Sequence, residues 1–278
     1  MVRLIALDLD GTLLTSDGQI TQASKEAIAK AQEKNIRVVL ATGRSCAEAA
    51  AFSRQAGCDL LSAALGGAAL VDTKTEHTLR SWTIPEDSAR KALELCLGRE
   101  IELMIFAGDQ ILVDPFSHKS LLKTFPCQVF HDAAIVTEDP IAYMEEHQLP
   151  LLKIHGDQNP GAYPLEELSA LPGVSLTRSN DHDFELVRKG VDKASTLALL
   201  AMLCGIPLQD CAAVGDSDND LSMLQAVGFP VAMGNGCAAV REAAQYVTAD
   251  NDHDGVAQAI EHFLEYNEKN NPLTNFQV

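Results

Sequence analysis

Leu4-Ile5-Ala6-Leu7-Asp8-Leu9-Asp10-Gly11-Thr12 is the stretch that decides how this chain is read. Four consecutive apolar residues are the signature of a strand buried on both faces, the kind that fills the centre of a covered parallel sheet. Two carboxylates follow at once. Residues two apart on a strand share a face, so Asp8 and Asp10 are expected to point the same way. Gly11 then allows a tight exit and a close approach of backbone to a ligand. Adjacent carboxylates repel unless a cation or a shared proton lies between them, so the pentapeptide from Asp8 to Thr12 is either a solvated turn or the floor of a site.

Working outward, strand and helix alternate. Ser24 to Lys34 reads as an Ala-rich helix capped by Thr21 or Ser24, and Ile36 to Ala41 as a second buried strand closing on Thr42-Gly43-Arg44. Ser45 to Gln55 is a helix, and Leu60 to Leu65 a third strand ending in Gly66-Gly67. Near Trp82 the rhythm breaks into mixed order: a helix over Ala89 to Leu97, strands over Glu102 to Phe106 and Ile111 to Asp114, and further short elements to Arg188. Alternation returns with a helix over Lys193 to Cys204 capped by Asp192, a strand over Cys211 to Val214, a strand over Pro230 to Met233 and a closing helix over Gly255 to Tyr266. Residues 267–278 read as a polar tail. The pattern predicts an α/β protein: a doubly wound, Rossmann-like parallel-sheet core made of residues 1–82 and 189–278, with an α+β cap inserted at 83–188.

Composition narrows the function. The 278 residues are 46% hydrophobic, with 21 basic against 39 acidic side chains and a formal charge of −18. Such a surface argues against nucleic acid and anionic membranes as partners, and leaves room for a small anion whose site supplies its own positive charge. No apolar run approaches membrane-spanning length, and Met1-Val2-Arg3 leads straight into the first strand, so a cytoplasmic protein is expected. The seven cysteines are scattered without a CxxC spacing, which points to reduced, packed thiols and not to a zinc site. The histidines show no ligand spacing and Trp82 reads as packing.

Four segments share a property: Asp8-Leu9-Asp10-Gly11-Thr12, Thr42-Gly43, Lys193, and Gly215-Asp216-Ser217-Asp218-Asn219-Asp220 each follow a strand or begin a helix. In doubly wound sheets, ligands sit beyond the carboxyl ends of the strands. In order and spacing these segments resemble the motifs of the haloacid dehalogenase-like phosphohydrolases. The fit extends to the Cof-type branch, with its cap between the second and third motifs; Val231-Ala232-Met233-Gly234-Asn235-Gly236 and Asp254-Gly255-Val256-Ala257 resemble that branch too.

The resemblance implies a phosphatase acting on a small phosphate ester through an aspartyl phosphate, with a sugar phosphate favoured and pyridoxal phosphate or a flavin nucleotide open. It makes Asp8 the nucleophile and Asp10 the general acid/base. It assigns magnesium to Asp8, the Asp10 carbonyl and Asp216, and the phosphoryl oxygens to Thr42, Gly43 and Lys193. Asn219 would orient phosphate or substrate, and Asp220 would bind Lys193 or a metal-bound water. Lys189 competes with Lys193 for its role, Asp218 shapes the loop, and Arg44 is either an ion-pair partner or a substrate contact. A phosphomutase using the same intermediate, or a phospho-receiver, also fits the carboxylates, and the protein would act as a monomer or homodimer. The chain departs from the family at Gly66, where Asn is common, and at Ala194-Ser195 after Lys193, where Gly is common.

Overall fold

The computed structural model describes residues 1–125, 127–178 and 182–270. At its centre is a five-stranded sheet in the order Tyr246–Val247, Phe229–Ala232, Cys211–Gly215, Leu4–Leu7, Arg37–Leu40, with every neighbouring pair parallel. Successive side chains alternate between its two faces. Ile5, Leu7, Val38 and Val214 pack with Ile28, Ile260 and Phe263 on one side. Leu4, Ala6, Val39 and Ala213 pack with Leu197, Leu200 and Leu224 on the other. Covering both faces is what makes the first strand an unbroken apolar run.

The helix starts follow their capping residues. Thr21, not Ser24, caps the helix Gln22–Glu33, accepting the Ser24 N–H at 3.1 Å. Asp192 caps Lys193–Leu203 by accepting the Ser195 N–H at 2.7 Å. Ser45 and Glu48 form a reciprocal box at the start of Cys46–Ala56.

The third strand differs in part from expectation. Leu61–Ala64 meets the parallel sheet only through an Ala41–Ala63 bridge, and then pairs antiparallel with Ala69–Asp72, which pairs with Thr78–Ser81. The sequence reading missed the last two strands because Gly66-Gly67 looked like the end of an element, whereas it is the turn between two. A six-stranded sheet follows, ordered Val174–Thr177, Asp183–Arg188, Leu151–Asp157, Glu102–Ala107, Gln110–Val113, Ala134–Val136. One face packs on the helices Glu86–Cys96 and Leu165–Ser169 through Leu93, Leu103, Ile154 and Leu168. The other presents Met104, Phe106, Leu152 and Val187 to Ala49, Ala50, Leu65 and Val71 of the first unit. This is an α/β core with an inserted α+β cap.

The polar tail is shorter than read. The last helix runs Gly255–Lys269, and Asn267 on it clasps the first strand, accepting from Val2 N–H at 2.8 Å and donating to Val2 O at 2.7 Å. Residues 271–278 of the expected tail lie outside the described residues.

Candidate active site

The chain leaves strand Leu4–Leu7 through Asp8, whose N–H still bonds Val214 O at 3.0 Å, and enters a wide turn, Leu9–Leu13. Asp10 lies past the end of the strand, so the turn and not strand alternation places it, and Asp8 and Asp10 both line one cleft. Asp8 is 4% exposed, while the Asp10 side chain is 55% exposed and turned to Arg44. Gly11 (φ +75°) makes the turn possible twice over: its backbone is left-handed, and a Cβ there would lie 2.5 Å from Asp216 Oδ2.

Lys193 is the charge centre. Its Nζ donates to Asp8 Oδ1 at 2.6 Å, Asp220 Oδ1 at 2.6 Å and Asn219 Oδ1 at 3.1 Å. Burial alone would lower its pKa, but the carboxylates of Asp220 and Asp8 outweigh that and hold the ammonium well above its ordinary range. Lys189, by contrast, is exposed, with its N–H on Gly173 O.

Asp220 is a brace. Its second oxygen accepts the N–H groups of Asp216 at 2.9 Å and Ser217 at 3.0 Å, which fixes the loop that carries Asp216. Asp218 is exposed and accepts from Cys237 Sγ at 3.2 Å, in keeping with a loop role.

Carboxylate oxygens of Asp8, Asp216 and Asp220 lie within 4.8 Å of one another. Burial, then repulsion from Asp220, raises the Asp8 pKa despite Lys193; the same two causes push Asp216 from about 3.9 to about 6. One ammonium does not neutralise three carboxylates, and hard oxygen donors at this spacing suit magnesium. Asp220 has both oxygens engaged, so the carboxylates of this set free to hold an ion are Asp8 and Asp216. Thr12 Oγ1 donates to Asp216 Oδ1 at 2.9 Å and aims it.

Thr42 is buried, and its Oγ1 accepts the Arg44 N–H at 3.1 Å, which leaves the hydroxyl hydrogen to donate elsewhere. Arg44 turns out to be the partner of the Asp10 carboxylate: Nε donates to Oδ2 at 2.9 Å and Nη2 to Oδ1 at 2.6 Å. Its guanidinium also bonds Glu48 at 2.8 Å and lies 4.6 Å from the ring centre of Phe125. Asp8, Asp10, Gly43, Arg44, Asp216 and Asn219 line a cleft of about 360 Å³, roofed by Met104, Phe106, Leu121, Phe125, Lys153, His155 and Glu185 of the second unit.

Sequence reasoning missed several of these. Lys153 and Glu185 sit inside apolar strands, on Leu151-Leu152-Lys153-Ile154 and Phe184-Glu185-Leu186, and a charge buried in each of two strands was the available signal. His155, read as solvated or packed, lines the cleft 3.6 Å from Glu185 Oε1. Asn235 anchors the turn Leu9–Leu13 by donating to Gly11 O at 2.8 Å. Gly66 faces the roof: a Cβ there would lie 3.5 Å from Glu185 Oε2, so an Asn at this place would reach into the cleft. Trp82 is partly buried against the seam between the units, as expected of packing.

Comparison with known proteins agrees with this geometry. The chain is 30% identical to the Bacillus subtilis 5-amino-6-(5-phospho-D-ribitylamino)uracil phosphatase YwtE, over 95% of this chain and 98% of that one. It is 29% identical to the Escherichia coli pyridoxal phosphate phosphatase YbhA, over 93% and 97%. A solved haloacid dehalogenase-like hydrolase from B. subtilis superposes with a TM-score of 0.83 at 29% identity, covering 94% of this chain and 99% of the other. The family model of the haloacid dehalogenase-like hydrolases matches residues 5–260, from the first strand into the last helix, and the chain belongs to that family.

Proposed function

We propose that this enzyme is a magnesium-dependent phosphatase that hydrolyses a small phosphorylated metabolite through a phosphorylated Asp8. The observation that carries the reading is the mutual placement of Asp8, Asp216 and Lys193: a buried carboxylate beside an ammonium, facing a second carboxylate under a cleft. Asp8, Asp216 and the Asp10 carbonyl would hold magnesium, which when bound offsets the charge of the phosphate dianion against an anionic nucleophile.

Asp8 attacks phosphorus while Thr42 Oγ–H, Gly43 N–H and Lys193 hold the phosphoryl oxygens. Asp10 protonates the leaving alcohol and later takes a proton from the water that hydrolyses the intermediate. To do so it must give up at least one of its two bonds to Arg44, since a carboxylate held by both oxygens has no free edge for the leaving group. Asn219 and Asp220 fix the Lys193 ammonium.

The division we infer is a catalytic core at 1–82 and 189–278 and a cap at 83–188, with substrate choice residing in cap residues. A sugar phosphate is the leading substrate. Pyridoxal phosphate and ribitylaminouracil phosphate are the next to test, given what the names of the related enzymes say. The acidic surface and the cytoplasmic setting fit such a metabolite. Among the described residues no helix is long and apolar enough to cross a membrane.

The direct test is release of inorganic phosphate from a panel of phosphorylated metabolites, with magnesium and with chelator. Release that depends on magnesium supports the reading. Conversion of one phosphate ester to another without release would make the protein a mutase, and a stable, slowly decaying phospho-Asp8 would make it a receiver.

A second expectation concerns stability. Asp216 has a folded pKa of about 6, above its unfolded value of about 3.9, so the folded protein binds the extra proton between those limits. Its contribution is present below about pH 4 and lost as pH rises through about 6. In chelator, the Tm difference between wild type and Asp216→Asn should therefore shift in favour of Asn as pH rises from 4 to 7. Magnesium should erase or reverse that trend in wild type. A Tm difference flat across this range would overturn the account.

A further inference from the structure

The six-stranded sheet sends one charged side chain into the loop that follows the second core strand. Lys153 is 1% exposed, and its Nζ donates both to Glu185 Oε1 at 2.5 Å and to the main-chain carbonyl of Gly43 at 2.8 Å. Lys153 and Glu185 stand on the adjacent antiparallel strands Leu151–Asp157 and Asp183–Arg188. The contact is close enough to account for the residue at 43: a Cβ there would lie 3.0 Å from Glu185 Oε1 and 3.3 Å from Lys153 Nζ.

The carbonyl that Lys153 holds belongs to the peptide whose N–H is that of Arg44, and this N–H donates to Thr42 Oγ1 at 3.1 Å. A cation on the oxygen of a peptide draws electron density from its nitrogen and makes the N–H a better donor. The chain of bonds therefore runs from the Lys153 ammonium through the Gly43–Arg44 peptide to the Thr42 hydroxyl. With one of its two lone pairs taken by the Arg44 N–H, that hydroxyl still has its hydrogen to donate.

We propose that Lys153 is a positioning residue that acts through the Gly43 carbonyl to set the phosphoryl-holding turn Thr42–Arg44, so that this turn is complete only while the cap strand Leu151–Asp157 is seated on it. The proposal rests on the phosphatase reading above, in which Thr42 and Gly43 hold the transferring group. Lys153 touches neither the nucleophile nor, through this bond, the leaving group. Its effect falls on the part of the reaction common to every substrate. Glu185 neutralises Lys153 within the roof and limits the ammonium to the one bond that crosses to the core.

The test removes the crossing bond without stranding a buried charge. Lys153→Met/Glu185→Gln and Lys153→Met/Glu185→Leu both do so, and replacing a buried ion pair by groups of similar volume is commonly tolerated. Wild type and both variants are assayed with magnesium on 4-nitrophenyl phosphate and on the best phosphomonoester from the metabolite panel, with circular dichroism and thermal melts as fold controls. The expected result is a fall in kcat of about 10- to 100-fold, of similar size for both substrates, with KM for the aryl phosphate moving by less than about threefold. A loss confined to the natural ester and expressed in KM would make Lys153 a substrate contact and overturn the proposal. So would an unchanged kcat, and failure of both variants to fold would reduce the pair to a structural anchor. If wild type releases phosphate from nothing in the panel and from no aryl phosphate, the phosphatase reading fails instead, and that result is separate from the other three.

Discussion

Asp8→Asn is expected to abolish turnover, by at least about 10⁴-fold, because the proposed nucleophile is gone. The same variant should be no less stable than wild type in chelator. Lys193 keeps its bond to Asp220 at 2.6 Å, and one of three mutually repelling carboxylates has been neutralised. The stabilisation given by magnesium should shrink, since Asn offers no charge to the ion. Asp10→Asn fails in another way: its carbonyl is untouched, and the loss is that of proton transfer, about 10²–10⁴-fold, smaller on an aryl phosphate whose leaving group needs little protonation. Rates for two leaving groups and melts with and without magnesium test both variants together. An Asp8→Asn protein that still released phosphate above background would remove Asp8 from its role.

Lys193→Met has the next largest effect, and it falls on stability as well as on rate. Removing the ammonium leaves Asp8 and Asp220 buried and unpaired, a change that costs about 3–5 kcal/mol. It also removes a donor to the transferring group, worth about 10²–10³-fold in kcat. Magnesium should recover part of the stability but little of the rate. Lys189→Met, on an exposed side chain, should change stability by no more than about 0.5 kcal/mol and leave kcat alone. The reverse ranking would move the third motif to Lys189. Denaturant titration with and without magnesium, alongside initial rates, separates the two.

What the sequence made legible were the places where backbone and side chain serve one purpose. The apolar run ending in Asp8, the caps Thr21 and Asp192, and the acidic loop from Asp216 to Asp220 each combine a local structural signal with a chemical one. Asp220 could be read only as an alternative between Lys193 and a metal-bound water, and the structure shows its bond to Lys193. What escaped were relations between distant segments. The pairing of Asp10 with Arg44 depends on a turn that departs from strand geometry, so a rule of alternation applied past Leu7 could not foresee it. Ala69–Asp72 and Thr78–Ser81 are short and lie beside glycines that resemble an ending. Lys153 meets Gly43 across 110 residues, and no local period encodes that meeting.

The position of the first strand has a consequence for the birth of the protein. Leu4–Leu7 leaves the ribosome long before Cys211–Gly215, one of its two partners in the sheet, and before Asn267, which clasps Val2. The segment bearing Asp8 must wait, paired on one edge only with Arg37–Leu40, while the whole insertion is made. The insertion closes its own six-stranded sheet from strands between Glu102 and Arg188, so it can form before the sheet that surrounds it is whole. A nascent chain released early would carry Asp8 but neither Lys193 nor Asp216. Such a fragment would be chemically silent, and an open edge of Leu-Ile-Ala-Leu would be its chief hazard.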